Sequence, residues 1–217
     1  MFVTFEGLDL CGKSTQARRL AETLLRRHAA DAAAWPAVRL LREPGGTEIS
    51  ERLREILLDT THGEMDGRTE MLLFSASRAQ LVSQVIRPAL RRGEIVVCDR
   101  YFDSTTAYQG YGRGLDLDDV RRVNAIATGR LDPDLTLYVD ITVEEIARRR
   151  EAAGSASDRM ESSGRDFYER VRGGFLAIVN DEAHRCVRVN GMAPVDDVAA
   201  EVWDVFLRWR EKNHKRG

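Results

Sequence analysis

Lysine is almost missing from this 217-residue chain. Lysine and arginine together number 33, yet only Lys13, Lys212 and Lys215 are lysine. Cysteine is scarce as well. Cys11, Cys98 and Cys186 are odd in number and far apart, which supports neither a disulfide framework nor a zinc ribbon. No apolar run is long enough to span a membrane. The opening MFVTFEG reads as a strand, without the charged n-region and long apolar core of a leader. Neither sign of charge is in excess: the net charge of −2 gives no broad basic face for nucleic acid or membrane, although a local cluster can still bind one anion. These absences together read as a reduced, cytoplasmic protein with no nucleic-acid or membrane partner.

What is present alternates. Short apolar runs at Phe2 to Phe5, Val38 to Leu41, Ile95 to Cys98, Leu135 to Val139 and Cys186 to Val189 read as strands. Helical patterns lie between them, at 13–29, 47–58, 69–91, 118–128, 143–152, 165–182 and 195–211. Strand and helix in turn predict an α/β fold: a parallel sheet of about five strands with helices on both faces, in three layers. The length suits a single domain over 1–217. One composition break, Glu151 to Gly164 (EAAGSASDRMESSG), reads as a mobile loop, a candidate lid near 149–164.

The placement of Lys13 carries chemistry. Gly7-Leu8-Asp9-Leu10-Cys11-Gly12-Lys13-Ser14 fits G-x-x-x-x-G-K-[ST], after a predicted strand and opening a predicted helix. Backbone N–H groups of such a loop and the helix N-terminus form an anion site. Lysine reaches β- and γ-phosphates as a compact point charge, which the planar fork of arginine does not reproduce. The loop through Thr15 is therefore the expected ATP site. Asp99 ends the third predicted strand, where ligands meet α/β sheets. With Ser14 it could hold Mg²⁺, which favours carboxylate and phosphate oxygens, or it could cap the next segment. The chain to this point reads as a P-loop phosphotransferase or NTPase.

Three further stretches suit an acceptor: Arg42-Glu43-Pro44-Gly-Gly-Thr47, Phe74-Ser-Ala-Ser-Arg78, and Asp99-Arg100-Tyr-Phe-Asp-Ser-Thr105-Thr-Ala-Tyr108-Gln109-Gly-Tyr-Gly-Arg-Gly114. Phe74 and Arg78 share a helix face, a flat ring beside a donor fork. Core packing of Phe74 and a solvated Arg78 are the plain alternatives. Thr105, Tyr108 and Gln109 also fall on one face. Glu43-Pro44, at a strand end, is a candidate cis bond.

With the P-loop, these stretches resemble thymidylate kinases along nearly the whole chain; DRYFDSTTAYQGYGRG is specific to that family, and REPGGT and FSASRAQ add to it. The resemblance implies a nucleoside-monophosphate-kinase-like fold and transfer from ATP to dTMP with Mg²⁺, on the way to dTTP. It implies that Asp9 accepts from the sugar 3′-OH near the transferring phosphates, and that Arg54 and Arg100 hold the dTMP phosphate. Phe74 would stack on thymine and Arg78 donate to O4. Thr105 and Gln109 would meet N3, Tyr108 would crowd the 2′ position, and Glu43-Pro44 would lie beside the base. A homodimer is implied as well; Leu72, Leu81, Val85 and Leu90 could give an isologous face, or could be core.

The P-loop interior carries no arginine, whereas the lid segment has Arg148, Arg149, Arg150 and Arg159. This is similar to the bacterial, lid-arginine type of the family. Consecutive helical residues point about 100° apart, so only one or two of the triplet can face the nucleotide. Family alignment selects Arg149, then Arg159, as catalytic beside Lys13, Asp9 and Arg100. The family usually has glycine where Leu10 stands, which predicts a strained φ > 0 there. Cys11 reads as a small apolar filler, or as a thiol with its pKa lowered by Lys13. Two rivals to the kinase reading are a P-loop kinase for another nucleoside or monophosphate and a non-catalytic nucleotide-binding protein.

Overall fold

The computed structural model describes residues 1–153 and 164–214. Five strands, β1 (Phe2–Glu6), β2 (Val38–Arg42), β3 (Ile95–Asp99), β4 (Leu135–Asp140) and β5 (Cys186–Asn190), form one sheet in the order β2-β3-β1-β4-β5. Every pairing is parallel. The chain runs from β1 out to β2, returns to β3, then crosses β1 to reach β4. That reversal opens a crevice at the carboxyl ends of β1, β3 and β4, where open α/β sheets hold ligands.

The period of two along each strand assigns the two faces. Val3, Phe5, Ile95 and Val97 pack toward Leu20 and Leu24 of α1 (Lys13–Ala30). Phe2, Val96 and Cys98 pack the other way, with Leu81, Val82 and Ile86. Leu24 is fully buried. Truncating such a leucine to alanine costs roughly 2–5 kcal/mol. Polar residues within the sheet are paired: Thr4 and Thr136 share a hydrogen bond of 2.8 Å across β1 and β4.

The remaining helices are α2 (Glu48–Leu58), α3 (Gly67–Leu81), α4 (Arg87–Arg91), α5 (Phe102–Thr105), α6 (Leu117–Thr128), α7 (Val143–Ala153), α8 (Arg165–Asp181) and α9 (Val195–His214). Side chains fix several starts. Thr47 accepts from Ser50 N, Asp66 from Arg68 N, and Asp116 from Asp118 N and Asp119 N.

One predicted element differs in detail. The span 69–91 is helical throughout, but the turn widens to a π-helix over Val82–Ile86, between α3 and α4. Arg87 N–H closes this turn on Val82 O, and Pro88 comes next with no N–H to give a carbonyl four residues back, so the wider turn accommodates its ring. The stretch after Asp99 is helical, α5 running into a π-helix over Thr106–Gly112. Its glycines explain its closeness to α8. A Cβ on Gly112 would meet Phe167 Cε2 and Val171 Cγ2, each at 2.7 Å.

Of the expected isologous face, only Leu72 is exposed. Leu81 is core, and Val85 and Leu90 pack against it. The core alternative therefore holds for Leu81, Val85 and Leu90. Arg159 and most of the expected lid near 149–164 lie outside the described residues.

Candidate active site

The phosphate loop is built from backbone conformations that few residues accept. Gly7 has φ 147°, and a Cβ there would meet Val139 O at 2.6 Å and Cys11 Sγ at 2.7 Å. Gly12, with φ 96°, opens α1. Leu10 sits between them at φ 62°, the left-handed conformation that the expected glycine would take without strain. A leucine pays on the order of 1–2 kcal/mol for it. The side chains of Leu8 and Cys11 lie in the core beneath the loop and do not line the cleft. Burial pushes the Cys11 thiol up, and Lys13 does not offset this, so Cys11 is the apolar filler and not an activated thiol.

Above the loop opens a cleft of about 860 Å³. The sequence stretches that were read separately converge on it. Asp9, Lys13, Ser14 and Thr15 come from the loop and α1, and Glu43 and Pro44 from the end of β2. Arg54 comes from α2, and Phe74 and Arg78 from α3. Asp99, Arg100, Thr105, Tyr108 and Gln109 follow β3. Lys13 Nζ donates to Leu8 O at 3.2 Å, which holds the ammonium over the loop.

Asp9 is the hub of this wall. Arg100 Nη2 donates to its Oδ1. Tyr108 Oη and Tyr168 Oη donate to its Oδ2 at 3.1 and 3.2 Å. Burial opposes the charge, but Arg100 and then Lys13 outweigh it and hold the carboxyl below its usual range. Arg100 itself has φ 72°, and its N–H donates to Phe5 O at 2.9 Å. Its Nη1 donates to Gly7 O at 3.1 Å and to Ser104 Oγ at 2.9 Å. One guanidinium thus braces the phosphate loop, Asp9 and α5 together.

A second part of the lining is organised by Arg78. Its Nε donates to Glu43 Oε2 at 2.7 Å, Nη1 to Thr105 Oγ1 at 3.1 Å and Nη2 to Tyr101 O at 3.1 Å. With Asn124 Oδ1, at 3.4 Å from Nη1, it has four partners, so it is neither a solvated helix face nor a free donor. The peptide Glu43-Pro44 is cis. Burial raises the Glu43 carboxyl to about 7 against the pull of Arg78. Gln109 turns its amide nitrogen to Glu70 Oε1 at 2.8 Å. Arg54 Nη1 donates to Pro44 O at 3.0 Å. Phe74 is half-buried, touching the core on one side and the cleft on the other.

Arg149 is not among the residues lining the cleft, but it reaches the phosphate loop that forms the cleft floor. Its Nε donates to Glu145 Oε1 at 2.6 Å, Nη1 to Leu10 O at 3.0 Å and Nη2 to Gly191 O at 2.8 Å. Sequence reasoning also missed Tyr168, Ser104 and Glu70. Tyr168 lies in an amphipathic helix pattern with nothing local to mark it, whereas Ser104 sat inside the stretch singled out after β3.

Similarity to known proteins agrees with this geometry. A family model described as thymidylate kinase matches residues 5–202. The thymidylate kinase of Chlorobium luteolum is 48% identical over 208 residues, covering 92% of this chain and 94% of that protein. That of Desulforudis audaxviator is 45% identical over 205 residues, 94% and 88% of the two chains. The crystal structure of thymidylate kinase from Ehrlichia chaffeensis matches with a TM-score of 0.77 and 33% identity, over 95% of this chain and 98% of that one. Sequence, fold and the converging loops agree: the chain belongs to the thymidylate kinase family.

Proposed function

We propose that this protein transfers the γ-phosphoryl group of ATP to dTMP, acting as one cytoplasmic domain. The observation that carries the reading is the cleft itself. A phosphate cradle with Lys13 forms one end, and an aromatic and hydrogen-bonding wall of Phe74, Arg78, Thr105 and Gln109 forms the other. The first suits a polyphosphate and the second a pyrimidine ring. Arg54 and Arg100, between them, suit the acceptor phosphate. Tyr108, pinned beside Asp9, would crowd a ribose 2′-OH.

A dTMP phosphate oxygen forms a bond to the γ-phosphorus as the bond to the β–γ bridging oxygen breaks. The electron pair leaves with ADP. The acceptor oxygen is already ionised near neutral pH, so alignment and charge stabilisation do the work. Asp99 Oδ1 is buried with no hydrogen-bond partner among the described residues, and both Asp99 and Ser14 line the cleft. That orphan oxygen fits a Mg²⁺ held by few protein ligands. The ion would supply charge neutralisation to the phosphates.

A homodimer is part of the proposal. Ile49 and Ile56 on α2, Leu72 on α3 and Ile126 on α6 are large apolar residues left exposed. The three helices pack side by side, which suits an isologous contact. No helix among the described residues is long and apolar enough to cross a membrane.

An acceptor screen tests the reading. Purified protein with ATP should form dTDP from dTMP. Phosphorylation of thymidine but not dTMP would identify a different kinase. Nucleotide binding with no dTDP would identify a non-catalytic binder.

A further inference from the structure

Glu70, Phe74 and Arg78 follow one another at intervals of four along α3 and so share a helix face. Phe74 and Arg78 line the cleft. Glu70 does not, and its side chain is only 1% exposed. A carboxylate so buried needs donors around it, and the stretch after β3 supplies two side chains that give them. Gln109 Nε2 donates to Glu70 Oε1 at 2.8 Å. Arg113 Nε and Nη2 donate to Oε1 and Oε2, each at 3.2 Å. The Arg113 guanidinium also lies 4.8 Å from the centre of the Phe167 ring on α8, which holds the cation in place.

This arrangement fixes which end of the Gln109 amide can meet a ligand. A glutamine offers an oxygen acceptor at one end and an NH₂ donor at the other, and turning the amide exchanges them. With Nε2 committed to Glu70, the end left over is Oε1. Among the described residues no donor meets Oε1, and Gln109 is part of the cleft lining. The cleft therefore receives an acceptor from this position. A keto pyrimidine carries N3–H beside the O4 acceptor, whereas cytosine carries a bare N3 beside an amino donor. An acceptor at Gln109 matches the first and opposes the second.

We propose that Glu70 is a positioning residue that makes the site selective for keto pyrimidines, by holding the Gln109 amide with its oxygen toward the base. Glu70 touches no substrate and acts through Gln109, while Arg113 keeps the carboxylate at its station. The proposal rests on the dTMP reading above and adds to it the group that sets the direction of hydrogen bonding at the base.

The test is a double-mutant cycle of the parent, Glu70→Gln, Gln109→Leu and the two together. Each protein is assayed with ATP and either dTMP or dCMP, and its Tm is measured. An amide at position 70 has one acceptor where the carboxylate has two, so Arg113 and Gln109 compete for it and the Gln109 amide is released to turn. In Glu70→Gln the ratio of kcat/KM for dTMP to that for dCMP should fall by about tenfold or more, carried mainly by a higher KM for dTMP. Once Gln109→Leu is present, adding Glu70→Gln should change the ratio by less than about threefold, because no amide remains to be oriented. A ratio in Glu70→Gln within about threefold of the parent's would overturn the proposal. So would an equal change in both backgrounds, which marks a purely structural role. If Glu70→Gln fails to fold, Glu70→Asp takes its place in the cycle and the same outcomes decide. The parent should also bind dTMP methylated at N3 at least about tenfold more weakly than dTMP, and equal binding would show that no acceptor faces the base. A parent that forms no dTDP would remove the dTMP reading itself, and the proposal with it.

Discussion

Tyr168 Oη donates to Asp9 Oδ2 at 3.2 Å, joining residues 159 positions apart in the chain. α8 is thereby tied to the phosphate loop. Tyr168→Phe removes one donor and leaves Asp9 with Arg100 and Tyr108. The loss should be about 0.5–1.5 kcal/mol of stability, a Tm lower by a few degrees for a chain of this size. Thermal melts of both proteins check it, and identical Tm values would show the bond to be idle.

Leu10 at φ 62° is strained, yet it also packs against the core and lines the cleft. Leu10→Gly relieves at most ~1–2 kcal/mol of backbone strain. It also frees the unfolded chain, which offsets roughly 0.4–1 kcal/mol. ATP affinity should therefore hold or rise slightly. Titration of ATP into both proteins decides the matter: a large loss of binding would mean that the leucine side chain matters more than the strain.

Glu6, at the end of β1, should make stability fall as pH rises. Burial first, and then Asp103, raise its carboxyl to about 8 against an ordinary 4.5. Between those values the unfolded chain has lost the proton and the folded chain keeps it, so the slope of stability with pH is negative for this group. Glu6→Gln can still accept from Tyr101 N or Ser104 Oγ, the partners that Glu6 has at 2.7 and 2.5 Å. Denaturant melts should show the variant gaining on the parent steadily from pH 4.5 to 8. A constant difference across that range would mean that Glu6 is ionised in the fold.

Arg78 and Glu43 form an almost fully buried pair, 2% and 3% exposed. Removing one partner of such a pair is destabilising by up to about 3–5 kcal/mol. Arg78→Ala should therefore lower Tm, and Arg78→Ala with Glu43→Gln should recover part of the loss. For base choice, kcat/KM should rank dTMP, then dUMP, then dCMP. A missing methyl is worth roughly 1–3 kcal/mol at most, whereas mismatched buried donors reject an analogue more strongly. The double variant should narrow the dTMP–dCMP gap more than the dTMP–dUMP gap. Equal loss for all three acceptors would make Arg78 a purely structural residue.

Much of this site was legible because its parts are local in sequence. The phosphate loop, the residues after β2 and the stretch after β3 each declare themselves by type and spacing, and parallel strands bring their ends together. Leu10 was legible too, as a side chain where the loop needs a positive φ. Pairings across the fold were not. Nothing near Tyr168 shows that it reaches Asp9. Nothing in a run of three arginines shows which one meets Leu10 O, because that depends on the angular phase of α7 against a loop over a hundred residues earlier. The π-turn over Val82–Ile86 was not legible either, because periodicity assumes a constant turn.

The scarcity of lysine has a practical corollary. Among the described residues Lys13 is the one ammonium lining the cleft, and it is nearly buried there. With only two other lysines in the chain, an amine-selective label has few places to react. Modification at residue 13, read by peptide mass, becomes a direct gauge of cleft occupancy, since a polyphosphate seated on the loop would shield that nitrogen while Lys212 continued to react.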